Sequence, residues 1–156
     1  MEIVSRPLDW VGINYYTRAL YFRDPAQPIF GVGQRRGELE KNDLGWEIYP
    51  EGMTDLLLRV AREYTKLPIY VTENGMSETN DARRVKFYDD HLKALLDARA
   101  AGADVRGYFA WSLLDNYEWA EGYASRFGIV HVDYETQKRT PKGSYRAFQG
   151  MLHNTR

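Results

Sequence analysis

Ile69-Tyr70-Val71-Thr72-Glu73-Asn74-Gly75 carries four β-prone residues straight into a carboxylate, an amide and a glycine. The apolar part is nearly continuous rather than alternating, the pattern of a parallel strand covered on both faces. Two further runs have this form: Trp10-Val11-Gly12-Ile13-Asn14-Tyr15-Tyr16 before it, and Tyr108-Phe109-Ala110-Trp111-Ser112-Leu113 after it. Polar residues sit at or just past each end: Asn14, then Glu73-Asn74, then Asp115-Asn116.

Helical periodicity fills the gaps. Leu56, Leu57, Val60, Ala61 and Tyr64 share one face, opposite Arg59, Arg62 and Glu63, and Pro68 ends that helix before the second strand. A second helix is marked by Val85, Tyr88, Leu92, Leu95 and Leu96, with Asn80 or Asp81 to cap it and Gly102 to end it. Tyr145, Phe148 and Leu152 mark a third, from about Pro141 to Met151. Strand–helix alternation predicts an α/β fold with a parallel sheet. Arg18 to Leu44 breaks the pattern; rich in Gly, Pro and charge, it reads as a functional loop or a partly disordered one. No repeat or linker divides the chain, so one domain over 1–156 is expected.

Composition narrows the function. The 156 residues carry a net charge of −1 and no long basic run, which argues against nucleic-acid or anionic-membrane partners. The absence of cysteine excludes disulfides and thiolate chemistry. No apolar stretch reaches the roughly 18–20 residues of a membrane span, and Met1 to Pro7 lacks the features of a signal peptide. A cytoplasmic protein is the expectation. Aromatics make up 14% of the chain, and flat faces with polar tips suit sugars as well as cores. His91, His131 and His153 lack ligand spacing, Gly31-Val32-Gly33 opens no helix, and no metal is expected.

Two strand ends hold the candidate chemistry, since parallel barrels bind at the C-terminal ends of their strands. Glu73 is either a functional carboxylate there or one that caps the following loop or pairs with an arginine. The segment from Trp111 to Tyr123 gathers Asp115, Glu118 and Glu121 with Trp111, Tyr117, Trp119 and Tyr123. Carboxylates accept paired hydrogen bonds from sugar hydroxyls and indoles stack on the C–H face of the ring. The bland alternative is an aromatic mini-core under a loop, best suited to Tyr117 and Tyr123.

These residues carry a resemblance. Tyr70-Val71-Thr72-Glu73-Asn74-Gly75 resembles the nucleophile motif of glycoside hydrolase family 1, the β-glucosidase and 6-phospho-β-glycosidase family. Trp111 to Trp119 followed by Arg126-Phe127-Gly128 resembles its sugar-binding strand and loop; Asp9 to Thr17 and Gly45-Trp46-Glu47-Ile48-Tyr49-Pro50 match two more segments in order. The resemblance implies a partial (β/α)8 TIM barrel, its strands six to eight with their helices, and so the C-terminal part of a longer domain. It also implies a cis peptide at Trp111-Ser112 once the barrel is complete.

By this resemblance the reaction is double displacement at an anomeric carbon. Glu73 is the nucleophile and Tyr16 hydrogen-bonds and orients it. Asn14 lines the pocket, Trp111 is the sugar platform, Glu118 and Trp119 bind distal hydroxyls, Phe127 closes a wall and Trp46 stands at the aglycone entrance. Glu118-Trp119 resembles the branch acting on unphosphorylated glucosides. No cofactor is needed beyond carboxyl groups and water. The family's Asn-Glu-Pro acid/base segment is absent, so the chain alone is expected to need a complementary N-terminal barrel segment. Three strands cannot close a barrel, and an exposed inner face predicts self-association or pairing. The alternatives are a catalytically incompetent sugar-binding fragment and a half-barrel that homodimerises as a structural object.

Overall fold

The computed structural model describes residues 2, 3 and 5–153; Met1 and Val4, within the leading segment read above, and 154–156 lie outside the described residues. In chain order come β1 (Val11–Asn14), β2 (Leu20–Arg23), β3 (Val32–Arg35), α1 (Pro50–Arg59), β4 (Ile69–Asn74), α2 (Asp81–Ala100), β5 (Val105–Ala110), β6 (Val130–Val132), β7 (Arg139–Pro141) and α3 (Gly143–His153). The central sheet has the order β1-β4-β5, and both pairs are parallel. Helices connect its strands, so the chain is α/β, as expected.

Side-chain alternation assigns the two faces of the sheet. Ile69 and Val71 are fully buried against Met53 and Leu57 of α1 and Ala94, Leu95 and Ala98 of α2. Each such aliphatic side chain contributes about 1.5–3 kcal/mol by leaving water. A second cluster joins Met76, Phe87, Tyr88, Ile129 and Val130, with Tyr145 and Phe148 of α3 packed on it. On the opposite face no described helix covers Trp10 or Phe109, which are 50% and 59% exposed. Trp10 and Tyr70 meet edge to face, with ring centroids 5.4 Å apart.

The helix boundaries follow local chemistry. Pro50 opens α1, where its missing N–H costs nothing. Asn80, rather than Asp81, caps α2 by accepting from the Ala82 N–H at 3.2 Å. Asp81 instead takes the amide and the hydroxyl of Ser144, both at 2.7 Å, and so ties α2 to α3. Gly102, at φ +100°, permits the reversal after α2.

Several expectations need correction. Arg18–Leu44 is neither a bare loop nor disordered: β2 and β3 pair as an antiparallel hairpin, from Leu20↔Arg35 to Arg23↔Val32. Four-residue strands punctuated by Pro25, Pro28, Gly31 and Gly33 carry too little periodicity to be read. The third central strand spans Val105–Ala110, earlier than read, because the chain leaves the ladder after the Trp111 amide. Trp111 N–H returns to Asn74 O at 2.8 Å, and Ser112 N–H goes to Phe127 O at 3.3 Å. Tyr64 is exposed because the last turn, Val60–Tyr64, widens to π geometry and swings it off the apolar face. Leu96 and Leu152 are also exposed. The Trp111-Ser112 peptide is cis with only three strands in the central sheet.

Candidate active site

The burial pattern of β4 locates the chemistry. Residues 69, 71 and 74 are buried while 70, 72 and 73 are half-buried, so the alternation slips by one after Thr72. The register shows why: Ile13 faces Val71 but Asn14 faces Glu73, leaving Thr72 as the extra residue of a bulge. Glu73 thereby reaches the open face and Asn74 points inward.

Asn74, with no exposed surface, ties the three strand ends together. Its amide donates to Tyr15 O at 2.7 Å, its carbonyl oxygen accepts the Tyr108 hydroxyl at 2.6 Å, and its backbone carbonyl accepts from Trp111 N–H. Tyr15 N–H in turn donates to Glu73 O at 2.9 Å. The residue after Tyr15 is therefore delivered beside Glu73, and the Tyr16 hydroxyl donates to Glu73 Oε2 at 2.6 Å. Glu73 Oε1 takes no hydrogen bond among the described residues. Burial, the hydrogen bond to Glu73 and the charges of Glu73 and Glu118 all push the Tyr16 phenol well up, so it stays a proton donor at every ordinary pH.

Aromatic rings wall this pair. Tyr16 meets Trp46 and Phe127 edge to face at 5.9 and 6.1 Å, and Trp46 lies 6.1 Å from Phe127. Trp46 is set by its own loop, where the amides of Leu44 and Trp46 both donate to Asn42 Oδ1 at 3.0 Å. Asn14 accepts the Thr72 hydroxyl at 2.7 Å on the same face. Trp111 follows β5 directly, and its carbonyl abuts Gly75, where a Cβ would come within 1.6 Å of Trp111 O. That contact is the reason for glycine after Glu73-Asn74.

The loop of Trp111 to Tyr123 divides in two. Glu118 is half-buried and near enough to act on the Tyr16 phenol, while Trp119 is 81% exposed with a φ of +42°. Asp115 turns inward: its oxygens accept from Gly128 N–H, Lys142, Arg126 and Val132 N–H at 2.9–3.3 Å. It is a structural carboxylate, not a spare acid. Tyr117 meets Tyr123 edge to face at 5.3 Å and Tyr123 tilts on Tyr134 at 4.5 Å, but Tyr117 and Tyr123 are 60% and 56% exposed, a surface cluster rather than a mini-core.

The sequence reading assigned no role to Asn74 or to the buried network behind the site. There Arg84, fully buried, donates to Asp81 Oδ1 at 2.5 Å and to the carbonyls of Glu78 and Arg126. An arginine on a helix reads as a solvated face, and only its place on the stripe of Tyr88 and His91 could have marked it.

Comparison with known proteins gives the family. The family profile described as Glycosyl hydrolase family 1 matches residues 1–156. The chain is 40% identical over 163 residues to a 1,4-beta-D-glucan glucohydrolase of Thermotoga neapolitana, covering 99% of this chain and 36% of that one. It is 43% identical to Beta-glucosidase 47 of Arabidopsis thaliana, over 96% of this chain and 30% of the relative. Among solved structures, the Family 1 β-glucosidase from Thermotoga maritima superposes with a TM-score of 0.92 at 40% identity, covering 98% of this chain and 36% of the other. That enzyme's complex with deoxynojirimycin gives 0.93. The chain thus spans about a third of the length of such relatives, all (β/α)8 barrels among the structures, and it belongs to glycosyl hydrolase family 1.

Proposed function

We propose that this chain supplies the nucleophile and most sugar contacts of a retaining β-glycosidase acting on unphosphorylated β-glucosides, with residues 1–156 as the C-terminal fragment, strands six to eight, of a single (β/α)8 domain. The carrying observation is the Tyr16 hydroxyl on Glu73 Oε2 at 2.6 Å, among the rings of Trp46 and Phe127. Glu73 Oε1 attacks the anomeric carbon, the bond to the leaving oxygen breaks, and a glycosyl ester forms; water then hydrolyses it. A second carboxyl group about 5–5.5 Å from the first protonates the leaving oxygen and later activates the water. Asp115 is committed to four donors, and the chain has no Asn-Glu-Pro segment to supply such a group. General acid–base help is worth about 10²–10⁴-fold, so the chain alone acts at most on activated aryl glycosides and needs the missing strands for full activity. The uncovered face of Trp10, Tyr70 and Phe109 supports pairing with those strands or with a second copy.

Intact mass after incubation with 2-deoxy-2-fluoro-β-glucosyl fluoride tests this reading. The wild type should gain one fluoroglucosyl adduct and Glu73→Gln none. An adduct on another residue, or none once the other strands are restored, overturns it.

A further inference from the structure

Beyond Trp46 lies a cavity of about 380 Å³, roofed by the β2–β3 hairpin and lined by Thr17, Arg18, Arg35, Arg36, Lys41 and Trp46 together with Glu47. Its charges do not balance. Glu47, its single acid, is nearly buried and already committed. Its Oε2 accepts from Arg18 Nε and its Oε1 from Leu39 N–H, both at 2.8 Å. Those two donors hold its carboxyl below the usual range. Gly37 seals it in, since a Cβ there would fall within 1.8 Å of Glu47 Oε1.

Apart from Arg18, the cations facing the cavity have no such partners among the described residues. Arg35 and Arg36 form no ion pair among the described residues, and Lys41 donates only to the Leu39 carbonyl at 2.9 Å. The other carboxylate nearby is Glu38, which lines an adjoining cavity of about 290 Å³ with Arg18, Arg35 and Arg36 but pairs with none of them. Two exposed guanidinium groups lining one cavity without an acidic partner among the described residues suit an anion, and their planar forks match carboxylate or sulfate.

The position of the cavity gives it a purpose. Trp46 packs on Tyr16, which holds Glu73, and also lines this cavity. Thr17 and Arg18 continue the chain directly from Tyr16. A glycoside seated with its sugar at Glu73 would pass its leaving group along the Trp46 indole toward the arginines. We infer that this cavity is an aglycone subsite selective for aromatic aglycones bearing a negative charge, with Arg35 and Arg36 as the selecting residues. The inference rests on the reading of Glu73 and Trp46 given above.

A probe without sugar separates the two. Titrating the ¹⁵N-labelled full chain with 4-hydroxybenzoate should shift the Trp46 indole N–H and the Gly37 amide. The uncharged 4-hydroxybenzamide should bind about tenfold more weakly, and the double substitution Arg35→Ala/Arg36→Ala should cost the benzoate a similar factor. Lys93→Gln, on the far helix and paired with Asp97, should leave binding unchanged. Raising salt from about 0.02 to 0.2 M should weaken the benzoate alone. Equal binding of acid and amide, indifference to the double substitution, or no shift at about 10 mM overturns the inference. Glu73 labelling is read on a different residue, so loss of benzoate selectivity with labelling intact removes this subsite only. Selectivity without labelling once the other strands are restored leaves an anion site at Arg35 and Arg36 but overturns both the glycosidase reading and the aglycone role.

Discussion

The Tyr16–Glu73 contact is a hydrogen bond to a charged group, a kind worth about 1.5–3 kcal/mol. If Glu73 attacks as proposed, Tyr16→Phe should slow formation of the fluoroglucosyl adduct about tenfold to a hundredfold while leaving the fold intact. Stopped incubations followed by mass spectrometry would measure it, and an unchanged rate would remove Tyr16 from the mechanism. A second residue speaks to pH. His91 lies fully buried, stacked on Phe87 at 3.9 Å, with Nδ1 against Phe87 O at 2.8 Å and Nε2 unpartnered. Burial pushes its imidazole down from 6.5 to about 4. The unfolded chain takes up that proton near pH 6.5 and the folded chain resists until about 4. The stability from a neutral His91 is therefore full above 6.5 and lost as pH falls through this window, by about 3 kcal/mol. In urea titrations, His91→Phe should flatten the fall in stability between pH 7 and 4; an equally steep fall would refute it.

At the element scale the joints are small and polar. Gly75 admits the Trp111 carbonyl where a Cβ would overlap it, so Gly75→Ala should cost about 3 kcal/mol or more. Ser144→Ala removes one hydroxyl from Asp81 and should cost about 1 kcal/mol, felt where α3 meets α2. Chemical denaturation of the two variants should rank them in that order. Such joints divide what could be read in advance from what could not. The central strands were legible because Ile69-Tyr70-Val71 and Val11-Gly12-Ile13 are β-branched and uninterrupted, and α2 because its apolar stripe runs for five turns. Short hairpins were not: β6 has only Val130, His131 and Val132, and its pairing partner β7 includes a proline. At the site, motif residues fall together around Glu73, yet Asp115 was read with the sugar-facing acids. A carboxylate beside a tryptophan-rich loop looks the same in sequence whether it faces solvent or Lys142, and only the return of Gly128 and Val132 beneath it decides.

For the molecule as a whole, the uncovered sheet face governs behaviour in solution. β1 and β5 each pair only with β4 in the central sheet, and Trp10 and Phe109 stand open between those edges. Light scattering should find mass rising with concentration, and Phe109→Lys should shift the chain toward monomer. A monomer at all concentrations would mean that the face is tolerated bare. No described helix is long and apolar enough to cross a membrane. The bulge at Thr72 also has a consequence for the length of the chain. A strand counts in twos, so a change of one residue ordinarily sends every later side chain to the wrong side. Deleting Thr72 would simply straighten β4 and leave the carboxylate on its present side and opposite Asn14; inserting a residue there would keep the side but carry Glu73 about two residues, roughly 6–7 Å, past Asn14 and away from Tyr16. The molecule thus tolerates shortening but not lengthening at this point, an asymmetry set by a single surplus threonine.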